Sequence, residues 1–196
     1  MAGLKVGLLG GSFNPAHDGH LQISLTALRS LGLDQVWWLV SPQNPLKSTE
    51  GMADYAARLQ SAEQKVAGHP AIRISDFEKR LGETYTANTL ARLKACYPQN
   101  HFVWLMGADN LIQITRWYKW QEIFEQVPVA VFDRPGYTYR ALSGKAASLY
   151  RHVRVFPPAS RKPDSRFANR TAPCWIFLPQ TKLKLSSTDI RKNRIN

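Results

Sequence analysis

The sequence predicts an α/β fold, a Rossmann-like doubly wound parallel sheet, and three observations support this. Seven short runs rich in Val, Ile, Trp and Phe recur along the 196 residues. Most of these runs lack strict polar alternation, as is typical of strands that are covered on both faces. Segments with a helical spacing of apolar residues separate several of them, and such strand–helix alternation predicts a parallel sheet with helices on both sides.

The predicted elements follow from the positions of these runs. The strands are expected at Lys5–Leu9, Gln35–Val40, Ala71–Ile74, Phe102–Met106, Val129–Phe132, Val153–Phe156 and Trp175–Leu178. The helices are expected at Leu21–Leu31, which precedes a glycine stop, at Met52–Val66 and at Tyr85–Ala95. The strand order expected for such a sheet is 3-2-1-4-5, plus additional C-terminal strands. The proline-rich segment Pro157–Pro173 predicts an irregular loop near the surface.

Length and composition favour a single domain over residues 1–196. With 44% hydrophobic residues, a chain of this size can bury a substantial core. The first residues have the pattern of a strand and are not followed by the cleavage pattern of a secretory signal. No apolar run approaches the roughly 18 residues of a membrane span. We therefore expect a cytoplasmic protein that has no membrane partner.

The net charge of +12 comes entirely from the last third of the chain. Residues 1–133 contain 12 Lys or Arg and 12 Asp or Glu, whereas residues 134–196 contain 14 and 2. Such a basic region can attract nucleic acid, raise the local concentration of a small, highly charged substrate, or form a solvated surface. Charge alone leaves all three interpretations open.

The segment Gly10–His20, GGSFNPAHDGH, predicts an anion-binding turn between the first strand and the first helix. Gly10 and Gly11 add little side-chain bulk, so backbone N–H groups can approach a ligand, and a helix start attracts phosphate. His17 and His20 are three residues apart, so both rings can lie on one face and donate hydrogen bonds to phosphate oxygens. A zinc site is the alternative, but no third ligand is evident nearby.

A cluster of hydroxyl groups lies near the C-terminus, where Ser186, Ser187 and Thr188 precede Arg191 at a predicted helix start. Considered alone, hydroxyls at such a position predict helix capping. This segment and the histidine segment, however, resemble the two signatures of nucleotidyltransferases with the HxGH motif, a family related to class I aminoacyl-tRNA synthetases. The signatures read GGTFDPxHxGH and SSTxIR. In this chain, Ser12 and Asn14 replace the commoner Thr and Asp of the first signature.

Three interior stretches narrow the resemblance to the bacterial nicotinate-nucleotide adenylyltransferase family. They are Tyr85–Leu90, Met106–Asn110 with Trp117 and Tyr118, and Arg134–Tyr137. The loop Ser41–Ser48 is similar to the proline-rich loop that follows the second strand in this family. With the two terminal signatures, the resemblance spans nearly the whole chain, including a short phosphate-binding subregion around residues 180–196.

The resemblance implies three overlapping groups of site residues. The residues implied to bind ATP are Gly10, Gly11, Ser12, Phe13, His17, His20, Gly107, Asp109, Arg134, Ser187, Thr188 and Arg191. The residues implied to be catalytic are His17, His20, Lys47 and Arg191. The residues implied to bind the acceptor are Asn44, Thr86, Trp117 and Tyr118.

The chemistry of several of these residues agrees with the implied roles, although each has a simpler interpretation. Trp117 offers a flat face on which a pyridine ring could stack, but it could equally pack in the core. Thr86 and the Tyr118 amide could bind a ring carboxylate. Asp109 could accept hydrogen bonds from ribose hydroxyls or cap a helix. Lys47 could face phosphates or be a solvated loop residue.

The expected function is adenylyl transfer from ATP to nicotinate mononucleotide, giving nicotinate adenine dinucleotide and pyrophosphate in NAD biosynthesis. Mg²⁺ would arrive with ATP, because magnesium prefers substrate phosphates and water to a full protein cage. The alternatives are a sister adenylyltransferase that uses nicotinamide mononucleotide or phosphopantetheine and, more distantly, a basic nucleic-acid-binding protein. The last alternative explains neither histidine. The sequence leaves open whether the chain forms a homo-oligomer.

Overall fold

The computed structural model describes residues 3–42, 51–158 and 163–179. Its centre is a seven-stranded sheet in which all neighbouring strands are parallel. The strands are β1 (Lys5–Gly11), β2 (Gln35–Val40), β3 (Ile72–Ser75), β4 (His101–Gly107), β5 (Val129–Phe132), β6 (Arg154–Val155) and β7 (Trp175–Leu178). The order is β3-β2-β1-β4-β5-β7-β6, which confirms the predicted 3-2-1-4-5 and adds two strands beyond it.

Eight α-helices connect these strands within the described ranges. They are α1 (Asp18–Leu31), α2 (Tyr55–Val66), α3 (Phe77–Leu81), α4 (Thr86–Cys96), α5 (Ala108–Gln113), α6 (Trp120–Gln126), α7 (Thr138–Leu142) and α8 (Lys145–Leu149). None of the helices described is long and apolar enough to cross a bilayer.

Helix α2 begins at Tyr55 and not at Met52, where the apolar spacing predicts its start. The reason is local, since the Asp54 side chain accepts a hydrogen bond from the N–H of Ala56 at 3.1 Å. Aspartate is a preferred N-cap because its short side chain satisfies a free N–H of the first turn. The cap therefore sets the start of this helix, and the preceding residues are left to the loop.

Two hydrophobic cores lie on opposite faces of the sheet, as the predicted doubly wound fold requires. Successive side chains of a strand point to opposite faces. In β4, Phe102, Trp104 and Met106 enter the core covered by α4, α5, α6 and α8. Val103 and Leu105 enter the core covered by α1 and α2. Both faces are thus closed to water, and the ends of the strands remain available for a site.

The segment predicted as a surface loop, Pro157–Pro173, packs partly against the core. Within its described part, Phe167 is fully buried in the core beside α1. The N–H of Asp164 donates to the Ser30 carbonyl at 2.8 Å, and Lys5 Nζ donates to the Ser165 carbonyl at 3.0 Å. The described part of this segment is irregular and mostly exposed, which confirms the prediction of a loop near the surface, but Phe167 and Ala168 anchor it to the core.

Candidate active site

A cavity of about 470 Å³ opens at the carboxyl ends of β1, β2 and β4. In open parallel sheets ligands bind at this carboxyl end of the strands, next to the point at which the strand order reverses. The lining residues are Gly10, Gly11, Ser12, Ser41, Glu78, Thr84, Tyr85, Thr86, Trp104, Asn110, Gln113, Arg116, Trp117 and Tyr118. The cavity therefore brings residues of the first motif together with three residues that the sequence assigns to the acceptor.

The two histidines of the first motif form a reciprocal cap at the start of α1. His17 is the N-cap, and its Nδ1 accepts a hydrogen bond from the N–H of Gly19 at 3.1 Å. The Nδ1 of His20 accepts from the backbone N–H of His17 at 3.2 Å. The two rings stack with their centroids 3.8 Å apart. The sequence spacing thus places both rings on one face, as predicted.

These hydrogen bonds determine where each neutral imidazole carries its proton. A neutral ring has one N–H, and an Nδ1 that accepts a hydrogen bond leaves that N–H at Nε2. Desolvation by burial, followed by the positive charge of Arg134, lowers the pKa of His17 to about 4. His17 is therefore neutral near pH 7 and presents Nε2–H as a hydrogen-bond donor.

Two buried aromatic residues, Phe13 and Trp38, pack against the His20 ring. Phe13 has a φ of 48°, in the left-handed region, which costs a residue other than glycine about 1–3 kcal/mol. Its ring is buried and stacks on Trp38 with centroids 4.9 Å apart, while the His20 ring lies 4.7 Å away. This packing holds Phe13 in its unfavourable backbone conformation and so shapes the turn.

Gly10 has a packing role in addition to the one predicted for it. Gly10 and Gly11 both lie within β1, and the turn begins at Ser12. A Cβ atom at Gly10 would lie 2.5 Å from Cη2 of Trp104, which lines the cavity. A side chain at this position would displace the indole ring. Glycine is therefore required here for the close approach of Trp104.

The loops after β1 and β4 meet, as the strand order predicts. Asp109, in the first turn of α5, accepts a hydrogen bond from Arg134 Nη1 at 2.8 Å. The charges of both residues act on the pKa of His17. A Cβ atom at Gly107 would lie 2.5 Å from Asp109 Oδ1, so a side chain there would displace the carboxylate. Two predicted ATP residues, one after β4 and one after β5, thus lie close enough to His17 to act on its charge.

The three described acceptor candidates line one wall of the cavity. Thr86 is the first residue of α4, and Trp117 and Tyr118 follow α5. Trp117 packs partly against the core and makes an edge contact with Trp104, with centroids 6.5 Å apart. The two interpretations of Trp117 are therefore compatible, since it contacts the core and also lines the cavity. The Tyr118 ring lies 4.6 Å from that of Tyr85.

Several predicted site residues lie outside the described residues, and their roles stay predictions. They are Asn44, Lys47, Ser187, Thr188 and Arg191, together with the rest of the 180–196 subregion. Within ranges 3–42, 51–158 and 163–179, no group of three or more His, Cys, Asp or Glu side chains is arranged to hold a metal ion.

Two buried charged residues at this edge escape the sequence analysis. Arg58 of α2 is 2% exposed and Glu78 of α3 is 4% exposed. Glu78 lines the cavity and accepts a hydrogen bond from Thr89 Oγ1 at 3.1 Å. One signal was available for Glu78, because it lies shortly after the carboxyl end of β3, where site residues are common. Arg58 has no comparable signal, since it lies inside a helix and does not follow the end of a strand.

Glu78 should make the protein less stable as pH rises. Burial raises its pKa from 4.5 to about 7, so between these values the folded protein keeps a proton that the unfolded chain releases. The bound proton stabilises the folded protein by about 3 kcal/mol. This stabilisation is complete below the unfolded-state pKa and is lost as pH rises through the folded-state pKa. We expect Glu78→Gln to remove the effect in urea unfolding at about pH 5 and pH 8. The control is Glu63→Gln, on the exposed face of α2. The prediction would be contradicted if the free energy of unfolding had the same pH dependence in the parent, Glu78→Gln and Glu63→Gln.

The sequence is similar to known proteins over almost its whole length. The sequence model of the cytidylyltransferase-like family matches residues 8–193. The probable nicotinate-nucleotide adenylyltransferase of Parvibaculum lavamentivorans is 53% identical over 190 residues, which cover 97% of this chain and 92% of the relative. The protein of the same name from a Bradyrhizobium species is 49% identical, with 96% and 95% covered.

The fold is also that of a solved structure. The Plasmodium falciparum nicotinic acid mononucleotide adenylyltransferase complexed with APC matches with a TM-score of 0.68, covering 96% of this chain and 83% of that chain. Its sequence identity is 16%, so this likeness concerns the fold alone. The family match and the two close relatives decide the assignment. This chain belongs to the nicotinate-nucleotide adenylyltransferase family of cytidylyltransferase-like nucleotidyltransferases.

Proposed function

We propose that this protein transfers the adenylyl group of ATP to nicotinate mononucleotide in the cytoplasm, forming nicotinate adenine dinucleotide and pyrophosphate for NAD synthesis. The observation that carries the proposal is the stacked pair His17 and His20 at the edge of the sheet where the cavity lined by Thr86 and Trp117 opens. An anion site and an aromatic acceptor pocket at the same end of the sheet would allow the enzyme to bind two nucleotides side by side and transfer a group between them. The names of the close relatives support the same activity.

The chemical step needs no nucleophile from the protein. A phosphate oxygen of the acceptor attacks the α-phosphorus of ATP, a new P–O bond forms, and the bond to pyrophosphate breaks. The protein contributes alignment of the two anions and stabilisation of the charge that develops between them. His17 and His20 would donate from Nε2–H to oxygens of the α-phosphate. Because His17 is neutral with Nδ1 occupied, it keeps this donor over the physiological pH range.

The ATP would lie over the first motif and the start of α5. Backbone groups of Gly10–Phe13 would contact its phosphates, and Asp109 would accept hydrogen bonds from the ribose. Arg134, which is hydrogen bonded to Asp109, would offset phosphate charge. Further residues with proposed phosphate contacts lie outside the described residues, namely Lys47, Ser187, Thr188 and Arg191. The basic last third of the chain would draw the triphosphate toward this edge.

The acceptor would occupy the cavity beside the histidines. Its pyridine ring would stack on Trp117, which is partly buried and therefore offers a rigid face. The ring carboxylate would bind the Thr86 hydroxyl and the Tyr118 N–H, close to the positively polarised start of α4. Asn44, outside the described residues, would also contact the acceptor.

Mg²⁺ would be part of the nucleotide substrate. Two described carboxylates act on the charge of His17, Asp18 and Asp109, and each is already paired with a basic side chain, Asp18 with Lys65 and Asp109 with Arg134. This donor set suits an ion that is held by ATP phosphates and water, which magnesium prefers. Bound in this way, the ion would offset the charge of the phosphates.

A panel of acceptors tests the proposal. Purified protein with ATP and Mg²⁺ should release pyrophosphate with the highest kcat/KM for nicotinate mononucleotide, compared with nicotinamide mononucleotide and phosphopantetheine. A control without acceptor measures ATP hydrolysis alone. A higher value for another acceptor would assign the protein to a sister activity. Absence of pyrophosphate with every acceptor, together with salt-dependent retention of RNA, would favour nucleic-acid binding.

A further inference from the structure

We propose that Arg58 is a positioning residue. It fixes the phosphate-binding turn after β1 relative to the loop after β2, which it contacts at the start (Ser41 and Pro42) and at the end (Ala53). The inference rests on the proposed function, because the turn would bind ATP and the loop carries Asn44 and Lys47. Arg58 lies on α2, and the hydrogen bonds found for it in the described part of the chain all go to backbone carbonyls.

Four carbonyl groups converge on the Arg58 guanidinium. Nη1 donates to the carbonyls of Ser12 at 2.7 Å and Ser41 at 2.8 Å. Nη2 donates to the Pro42 carbonyl at 2.9 Å, and Nε donates to the Ala53 carbonyl at 3.1 Å. One rigid group therefore joins the turn, the end of β2 and the segment that precedes α2.

The chemistry of this contact requires arginine. A guanidinium is planar and has five N–H donors in a fixed arrangement, whereas the lysine ammonium is a compact point charge. The ion pairs found among the described residues do not include Arg58. Its buried charge is stabilised by the four carbonyl dipoles and, without direct pairing, by the negative charge of Asp54. The geometry thus points to alignment of the three segments as the role of this charge.

Other hydrogen bonds join the same segments around Arg58. Asn14 Nδ2 donates to the Gly51 carbonyl at 3.0 Å, and Asn14 Oδ1 accepts from the N–H of Ala53 at 3.2 Å. The N–H of Ser41 donates to the Gly11 carbonyl at 3.0 Å. An ionised aspartate could accept but not donate, so these bonds explain why asparagine is suited to position 14 in this chain.

The alignment matters because both segments border the cavity. Ser12 and Ser41 line it, and Phe13, which follows Ser12, contacts the His20 ring. A shift of the turn relative to the loop would change the distance between the two bound phosphates. A misplacement of about 1 Å can cost about 100-fold in rate. Arg58 would therefore influence turnover without touching either substrate.

The first test compares Arg58→Lys with a control on the same helix face. We expect Arg58→Lys to lower kcat by about 10- to 100-fold, with a smaller change in the KM for ATP. Ala62→Gly, one helical turn later, removes a buried methyl group that has no hydrogen-bonding capacity and should lower stability while leaving kcat and KM unchanged. If Arg58→Lys retains the parental kcat, or loses activity only in proportion to its unfolded fraction as Ala62→Gly does, the proposal is overturned.

The second test is chemical rescue of Arg58→Gly, which removes the whole side chain and leaves space for a free guanidinium ion beside the four carbonyls. Guanidinium at about 10–50 mM, well below denaturing concentrations, should raise kcat of this variant by at least about tenfold, and ammonium should not. Rescue would support a geometric role, because a general loss of stability is made worse by guanidinium. A folded variant with reduced kcat and no response to guanidinium would count against the proposal.

Hydrogen exchange separates this proposal from the proposed function. In Arg58→Lys, the amides of residues 11–14 and 51–56 should exchange faster than in the parent, whereas Ala62→Gly should leave them unchanged relative to the rest of α2. This measurement needs no substrate. If the parent protein releases no pyrophosphate, the proposed function fails, but hydrogen exchange still tests the role of Arg58. Unchanged exchange of these amides in a folded Arg58→Lys variant would refute the positioning role.

Discussion

Replacing His17 by alanine is expected to lower kcat by about 10²–10³-fold, the typical loss when one preorganised donor to a developing negative charge is removed. The His17 ring stacks on His20 and presents Nε2–H because its Nδ1 accepts from Gly19. Alanine removes this donor and also the helix cap. Steady-state release of pyrophosphate, measured at saturating ATP and nicotinate mononucleotide, gives kcat directly.

His17→Ser is the matched control for the loss of the cap. Serine is a preferred N-cap whose hydroxyl can accept from the N–H of Gly19, but it is too short to replace the Nε2–H donor. We expect His17→Ser to be as inactive as His17→Ala and about 1 kcal/mol more stable in urea unfolding. Full turnover in His17→Ala would eliminate the proposed role, and recovery of turnover in His17→Ser would reduce that role to capping.

Trp38→Ala should give the largest loss of stability, about 3–5 kcal/mol, because it empties a fully buried aromatic position. Trp38 stacks on Phe13, and its Nε1 donates to Ser24 Oγ at 2.7 Å. Without the indole, Phe13 loses the packing that holds its positive φ, and the adjacent His20 ring loses its support. Unfolding free energy and kcat should therefore fall together.

Trp37→Ala is the comparison for Trp38, since it changes the same residue type one position earlier on the opposite face of β2. Trp37 is only partly buried and contacts Tyr97 and Phe102, on the sheet face opposite to the core that contains Phe13. We expect it to lose less stability and to keep the parental kcat at temperatures where it is folded. A kcat loss of equal size in Trp37→Ala would show that general destabilisation explains the Trp38 result.

Local patterns in the sequence predicted the fold and the histidine pair correctly. Strand–helix alternation predicted a parallel sheet with helices on both faces, and the expected order of a Rossmann-like sheet, 3-2-1-4-5, is the one observed. The stacking of His17 and His20 follows from a spacing of three residues at a helix start. The position of Asp109 near His17 follows from the order of the strands that carry their loops.

The burial of individual charged and aromatic side chains by distant segments could not be predicted from the sequence. Arg58 and Glu78 lie in helices whose charged residues look like solvated ones, and only packing shows that both are buried. Phe167 lies among prolines and arginines, and its burial depends on a pocket formed by other elements. In each case burial depends on partners far apart in the chain, to which periodicity is insensitive.

The sequence by itself therefore determined the family, the parallel sheet and the two histidines, because short motifs and periodic patterns encode these features locally. The tertiary structure alone decided that Nδ1 of His17 and His20 is occupied, so that Nε2 carries the donor. It also decided that a buried guanidinium, Arg58, joins the turn to both described ends of the next loop. The physical reason is that a hydrogen bond or a buried charge depends on atoms brought together by folding, which no spacing in one segment can specify.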